Sequence, residues 1–262
     1  MATATLDLRQ VAGRFILNGT SQVGRFTFFV GETLRALPEV RIWWPRFIEE
    51  AWNIGVGSIF LVLLISVFAG AVTALQAGYQ FQGNLPYYIV GTLVVSAVIL
   101  ELGPVLTALV LAGRIGARYA AQQGTMRVTE QIDALESLGR SPYSHLVLPR
   151  VLAALIMIPI MTILANTAGI LAGWWSVKLV LPVTDMDFVY GAQSYFRPWD
   201  AYYSFIKSIF FGGTIGLVSC YMGIGTQQGA EGVGKAATGA VVSSSVLVLL
   251  LDVLVTKLLL NQ

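Results

Sequence analysis

The stretch that decides the fold is residues 54–77, which reads IGVGSIFLVLLISVFAGAVTALQA and contains no charged residue. A helix needs about 20 apolar residues to cross a bilayer core. A polar turn with Gly and Pro follows at residues 78–86, and a second apolar run at about 87–112 holds one charge, Glu101. These two runs predict a pair of transmembrane helices joined by a short connection.

The whole composition agrees with that prediction. Only 11% of the 262 residues are charged and 56% are hydrophobic, whereas a soluble domain carries about 25% charged residues. A water-facing surface of this length needs far more charge. The composition therefore excludes a soluble enzyme, a nucleic-acid binder and a disordered chain, and it predicts an integral membrane protein.

Three more apolar runs follow, at about 151–181, 203–223 and 239–260. The first of these is too long for one upright span, and Pro159 within it indicates a tilted or kinked helix. A polar loop at 113–150, an acidic connection at 182–204 and a Gly-rich loop at 224–238 separate the spans. The predicted fold is an all-α integral membrane protein with five transmembrane helices.

Basic residues predict the orientation, because they concentrate on the cytoplasmic side. Six arginines precede residue 52, five lie in the 113–150 loop, and Lys235 lies in the 224–238 loop. The other side of the membrane has only four basic residues. We therefore expect a cytoplasmic N-terminus, two cytoplasmic loops and a C-terminus on the outer side.

Residues 1–52 form a separate predicted region, ahead of a membrane domain at 53–262. Phe and Trp residues alternate there with arginines, and no charge-free stretch is long enough to span. This pattern favours an amphipathic helix lying in the headgroup layer. A soluble extension is the alternative, but it would expose many aromatic side chains to water.

Three ionisable residues fall inside predicted spans, namely Glu101, Lys207 and Asp252. Charges at membrane depth are costly and are usually paired or functional. One cation and two anions could form a buried cluster for transport or for packing alone; alternatively, Lys207 extends to the outer interface. Pro104, which lies one helical turn after Glu101, has no N–H to donate to the carbonyl of Leu100, and this predicts a kink.

Residues 129–139 of the polar loop read as a short amphipathic helix. Ile132, Leu135 and Leu138 share one face, and Gly139 ends the helix. Such a helix between two spans fits the groove of a partner protein. The alternative is a helix that lies on the membrane surface.

Two patterns point away from catalysis and metal binding. Residues 229–235 match a phosphate-binding loop in part, but Ala236 replaces the Ser or Thr that binds magnesium and no strand precedes it. His145 is the only histidine and Cys220 the only cysteine, so a zinc site or a Ser-His hydrolase is poorly supported. We predict no catalytic residue, no metal and no bound nucleotide in this chain.

Four motifs stand out along the chain: Glu101-Leu-Gly-Pro, Ala112-Gly-Arg114, Gly124-Thr-Met126-Arg127-Val-Thr-Glu130-Gln131-Ile-Asp133-Ala134-Leu135 and Pro149-Arg150. Together they resemble the MlaE/YrbE family of permease subunits of MCE-type ABC transporters. The resemblance implies a homodimer in the inner membrane with two ATPase subunits, which bind ATP and Mg, and in some systems a STAS-domain protein. It also implies a hexameric MCE-domain protein on the outer side, and phospholipid moved between inner and outer membranes as cargo.

The resemblance also implies site residues. The charged family positions in the spans match Glu101, Lys207 and Asp252. The coupling segment that contacts the ATPase matches Arg114, Arg118, Glu130, Gln131, Asp133, Leu135, Glu136, Leu138 and Gly139. The region near the lipid cavity matches Leu75, Gln76, Tyr79 and Phe81.

Two other functions are compatible with the residues. A secondary lipid transporter could use Glu101 and Asp252 as proton relays, and it would work on a proton gradient without ATP. An intramembrane lipid enzyme is the other alternative, although the expected catalytic groupings are missing. If the chain is an ABC transporter permease, ATP hydrolysis is expected in a partner subunit. A secondary transporter or an intramembrane lipid enzyme would not need ATP hydrolysis.

Overall fold

A computed structural model of the chain describes residues 20–80, 86–227 and 229–260, and these residues contain helices and no strand. The first helix, α1, occupies residues 20–35. The rest are α2 Val40–Gln80, α3 Tyr88–Ala97, π1 Val98–Leu102, α4 Gly103–Leu111, π2 Ala112–Gly116, α5 Ala117–Val128, α6 Gln131–Ser137, π3 Tyr143–Val147, α7 Leu148–Val180, α8 Asp185–Ser194, α9 Pro198–Ile224 and α10 Ala230–Leu260, where π denotes a single π-helical turn.

Five continuous helices are long and apolar enough to cross a membrane, which confirms the predicted number of spans. They are Val40–Gln80, Tyr88–Val128, Tyr143–Val180, Pro198–Ile224 and Ala230–Leu259. The residues from 151 to 180 form part of one helix, as expected. The all-α membrane fold is therefore confirmed, with an additional helix ahead of the first span.

The third span is the centre of the bundle, because α7 packs along both α2 and α9. About 67% of its most apolar stretch is buried within the chain, against 28% for the first span and 22% for the fifth. Gly70 of α2 lies so close to Gly169 of α7 that a Cβ on Gly70 would overlap the Gly169 carbonyl. Small residues thus let the two backbones approach.

The predicted loops at 113–150 and 224–238 are shorter than expected. The second span continues as helix to Val128, and α10 begins at Ala230. Arg114 and Arg118 suggested a loop, but Ile115, Tyr119 and Ala120 between and beyond them are buried. Packing therefore extends these helices beyond the apolar runs, and we name the end of the bundle that carries α6 the α6 end.

The predicted acidic connection at 182–204 contains a short helix that the sequence analysis did not anticipate. Thr184 and Asp187 cap α8, since the Thr184 hydroxyl accepts from the Asp187 N–H at 3.2 Å. Asp185 forms an ion pair with Lys178 at the end of α7. The hydrogen bond from Lys178 lowers the pKa of Asp185.

The N-terminal region is divided between two helices. Helix α1 packs through Phe29, which is buried, and Phe26 contacts Tyr221 of α9 with ring centroids 5.3 Å apart. Val23 and Phe28 on the same helix are exposed, as an interfacial helix requires. Helix α2 begins at Val40 and continues without interruption through residue 52, where the predicted N-terminal region ends.

Candidate functional site

The three intramembrane charges meet in one cluster, which we name the span cluster. Lys207 of α9 is fully buried, and its Nζ lies 2.5 Å from Glu101 Oε2 and 2.5 Å from Asp252 Oδ1. Tyr203 accepts a hydrogen bond from Lys207 at 3.1 Å, and the Tyr203 and Thr256 hydroxyls are 2.6 Å apart. Lys207 therefore points into the bundle and does not extend to the interface.

The backbone of the second span supplies a further hydrogen-bond acceptor to Lys207. Pro104 has no N–H, so the carbonyl of Leu100 lacks the helical partner it would otherwise have. Lys207 Nζ donates to that carbonyl at 3.2 Å. The chain also widens into a π-helical turn here, closed by the Gly103 N–H on the Val98 carbonyl. The Pro residue thus creates an acceptor that the buried lysine uses.

The span cluster is unbalanced in charge and open on one side. One cation faces two carboxylates, so the cluster carries one net negative charge when all three groups are ionised. The Glu101 side chain is 49% exposed, against 16% for Asp252 and 0% for Lys207. A half-exposed carboxylate at membrane depth is costly unless a ligand, a partner or water meets it.

A separate apolar groove lies between α2 and the second span. It has a volume of about 490 Å³ and is lined by Leu64, Ile65, Phe68, Ala69, Val72, Thr73, Gln76 and Leu102. Leu102 directly follows Glu101 in the chain. Of the residues predicted to contact lipid, Gln76 lines this groove, Leu75 and Tyr79 are exposed on α2, and Phe81 lies outside the described residues.

Helix α6 is a short, sharply bounded element at the end of the second span. Glu130 takes a left-handed conformation with φ 58°, which separates α5 from α6. Gly139, with φ 69°, follows the helix, and the N–H groups of Gly139 and Arg140 bond to the Glu136 and Leu135 carbonyls. This is the hydrogen-bond pattern of a glycine-terminated helix.

The predicted coupling residues fall into two groups. Glu130, Gln131, Asp133, Leu135, Glu136, Leu138 and Gly139 lie in or beside α6. Ile132 is buried, whereas Leu138 is 74% exposed, so the predicted apolar face is only partly covered by the chain. Asp133 forms an ion pair with Arg127. Arg114 instead lies against Gly57 of α2, and Arg118 lines a polar cavity.

A second buried ion pair, which the sequence analysis missed, lies at the α6 end. Arg150 donates through Nε to Glu50 at 3.1 Å and through Nη2 to Gln122 at 3.3 Å. The Arg150 and Glu50 side chains are 9% and 13% exposed, and we name these three residues the end cluster. The ion partners are 100 positions apart in the sequence, so no local pattern connects them.

No group of three His, Cys, Asp or Glu side chains that could hold a metal ion occurs within residues 20–80, 86–227 and 229–260. Ordinary ion pairs and hydrogen bonds thus account for the clusters described above. The arrangement combines an open charged cluster, an apolar groove along α2 and an exposed helix at one end.

Comparison with known proteins places these features in context. The sequence profile of the family described as Permease MlaE matches residues 47–258. A probable ABC transporter permease protein of Rickettsia prowazekii is 35% identical over 253 residues, which cover 97% of this chain and 98% of that protein.

Two further relatives come from photosynthetic organisms. A probable ABC transporter permease protein of Synechocystis is 35% identical over 83% of this chain and 82% of its own length. The protein TRIGALACTOSYLDIACYLGLYCEROL 1, chloroplastic, of Arabidopsis thaliana is 33% identical over 85% of this chain and 63% of its own length.

Proposed function

The chain belongs to the MlaE family of ABC transporter permeases, and on that premise we propose that it moves a phospholipid between the inner and outer membranes. The observation that carries this proposal is the open span cluster, in a chain that also has an apolar groove along α2. A phospholipid has acyl chains that suit the groove, and its headgroup can carry an amine or hydroxyl that donates to the half-exposed Glu101 carboxylate. The name of the chloroplast relative refers to a diacylglycerol lipid, which supports a lipid cargo.

A homodimer is the second part of the proposal. The first and fifth spans bury the smallest share of their apolar stretches within the chain, and both contact the second span, which carries Glu101. A second copy packed on these faces would enclose the open side of the span cluster. The cargo cavity would then lie between the two copies, and lipid would fill the remaining apolar surface.

Coupling to ATP hydrolysis is assigned to α6. We propose that two ATPase subunits, which bind ATP and Mg, contact the exposed residues of α6, with a STAS-domain protein beside them in some assemblies. A hexameric MCE-domain protein would receive lipid at the opposite end. This assignment puts the α6 end and the N-terminus in the cytoplasm. Energy enters only if α6 contacts the two ATPase states with different affinity.

The contact with the ATPase can be tested by reversing charges on α6. We expect Asp133→Arg to weaken copurification with the ATPase in mild detergent and to lower lipid-stimulated ATP hydrolysis. The variant Arg127→Asp/Asp133→Arg restores the ion pair within this chain but keeps the altered α6 surface. If the ATPase contacts that surface, the double variant remains defective in ATPase binding and in lipid-stimulated ATP hydrolysis. Full recovery of both would show that Asp133 acts only within the chain.

Asp187→Arg on α8 is the matched control, because it changes a carboxylate at the opposite end of the bundle. It should leave ATPase binding unchanged. Recovery of the wild-type chain as a monomer with no ATPase would count against the whole proposal. Lipid movement driven by a proton gradient without ATP would instead support a secondary transporter, which family membership does not favour.

A further inference from the structure

A polar cavity at the α6 end has no part in the mechanism proposed above. Its volume is about 320 Å³, and it lies between the first turns of α2, the helix α5 and the start of the third span. Arg46, Glu49, Arg118 and His145 are among its lining residues, together with Arg150 and Glu50 of the end cluster. This volume is at the lower end of the range for small-ligand pockets, about 300–1,000 Å³.

The charges in this cavity leave two guanidinium groups with unused donors. Arg150 and Glu50 neutralise each other. Arg46 uses one N–H on the His145 carbonyl at 2.5 Å, although a guanidinium has five. Arg118 is half-buried and makes no hydrogen bond or ion pair with any residue that the structure describes. Two arginines with free donors that line one cavity are arranged to bind an anion.

The cavity lies at the same level of α2 as several exposed aromatic and aliphatic side chains. On the same turns of α2 that supply Arg46 and Glu49, the side chains of Trp44, Ile48 and Trp52 are exposed. Tryptophan concentrates at the boundary between lipid and water. A membrane lipid whose phosphate lay in the cavity would keep its acyl chains in the bilayer at this level. A soluble phosphate ester could use the arginines but would lack that anchorage.

We propose that this cavity binds the phosphodiester of a membrane lipid headgroup, with Arg46 and Arg118 as the recognising side chains. Guanidinium groups bind phosphate oxygens through paired N–H donors. Glu49, which is exposed and also lines the cavity, disfavours a second negative charge, so the preferred ligand is a monoanionic diester. The site shares no lining residue with the apolar groove near Glu101, and its occupancy needs no ATP.

The same site links the membrane to α6. A neighbouring cavity of about 460 Å³ shares Arg46 and His145 with the first and extends to Gly139 and Arg140, directly after α6. A headgroup held by α2 and α5 would therefore brace the segment that follows α6. Bound lipid should make the α6 end more resistant to local opening.

Native mass spectrometry of the full chain, purified in a phosphate-free sugar detergent, tests the proposal. The probe is dioctanoyl phosphatidylglycerol, counted as lipids bound per chain. We expect Arg46→Gln/Arg118→Gln to bind one lipid fewer than the wild type at the same lipid concentration. Arg41→Gln, which removes an exposed charge from the same helix outside the cavity, should bind as the wild type does.

Two additions make the outcomes decisive. Glycerol 3-phosphate should compete at least about tenfold more weakly than the lipid, a difference of about 1.4 kcal/mol; equal competition would overturn a lipid ligand. Unchanged lipid binding by the double variant would also overturn the proposal, including when the variant loses its ATPase. If the double variant unfolds, Arg118→Gln alone decides, because this side chain has no described partner to lose.

Discussion

The span cluster and the end cluster each bury a cation beside carboxylate, yet they differ in balance and in access to the surface. In the end cluster one arginine meets one glutamate, both side chains are 13% exposed or less, and Gln122 accepts a further hydrogen bond from the arginine. In the span cluster one lysine meets two carboxylates, and Glu101 is 49% exposed. The first is closed and pairs its groups one to one, whereas the second is open and has one carboxylate more than it has cations.

This difference separates structural from functional charge. The closed, balanced pair ties α2 to α7; it lines the polar cavity, but its two charges already meet each other and are not the groups proposed to bind the lipid phosphate. An open cluster at membrane depth with more carboxylates than cations leaves a carboxylate that needs a further partner. A lipid headgroup or a second copy of the chain can supply that partner. We therefore expect changes in the end cluster to act on stability, and changes at Glu101 to act on transport.

The largest effect on stability is expected from Arg150→Met. It leaves Glu50 buried without a counter-charge, which costs about 3–5 kcal/mol for a buried pair. Unfolding in mixed micelles with increasing sodium dodecyl sulfate measures this loss. The variant Glu50→Gln/Arg150→Met removes both charges and should recover at least half of it. A single variant as stable as the wild type would break the distinction between the clusters.

A smaller loss is expected from Lys207→Met. Two carboxylates then lose their cation, but the exposed side of Glu101 can take up water or a proton. We expect the free energy of unfolding to fall by at least about 1 kcal/mol less than in Arg150→Met, measured in the same micelles. An equal or larger loss would show that the span cluster is as closed as the end cluster.

A substitution at Gly103 tests whether close backbone packing supports the span cluster. A Cβ there would overlap the Asn166 side-chain oxygen, next to the π-helical turn that presents Glu101. Gly103→Ala should cost about 1–3 kcal/mol, as overpacking does. Gly113→Ala, where a Cβ meets nothing within 4 Å, is the matched control. Equal stability of the two variants would remove the packing argument.

The smallest effect is expected from Lys178→Gln, at a surface ion pair whose lysine and aspartate side chains are 31% and 62% exposed. Lys178 lowers the pKa of Asp185, so the pair stabilises the fold when Asp185 is ionised. The small difference in unfolding midpoint from wild type should be present at neutral pH and vanish as the pH falls below 3.8, the ordinary pKa of the group. A difference that grows in acid would contradict this.

Much of the fold follows from sequence because apolar runs directly report membrane spans. The five spans and the end of α6 at Gly139 were predictable in this way. The helical extension past Ala112 was not, since Arg114 and Arg118 interrupt the apolar pattern while Tyr119 and Ala120 are buried by other helices. Packing between distant segments leaves no local signal.

The two clusters show the same limit for sites. Glu101, Lys207 and Asp252 stand out because each is a charge within an apolar run. Glu50 and Arg150 lie among many other charges near the ends of spans, and only the fold brings α2 against the start of α7. Charges in polar segments give no indication of which ones are buried.

ATP-driven transfer of a fluorescent phospholipid in proteoliposomes, with the ATPase present, tests the central claim most directly. Glu101→Gln should reduce transfer at least about tenfold while the free energy of unfolding stays within about 1 kcal/mol of wild type. Glu50→Gln should lose stability but transfer lipid normally per folded chain. Wild-type transfer by Glu101→Gln would contradict the assignment of the open span cluster to transport.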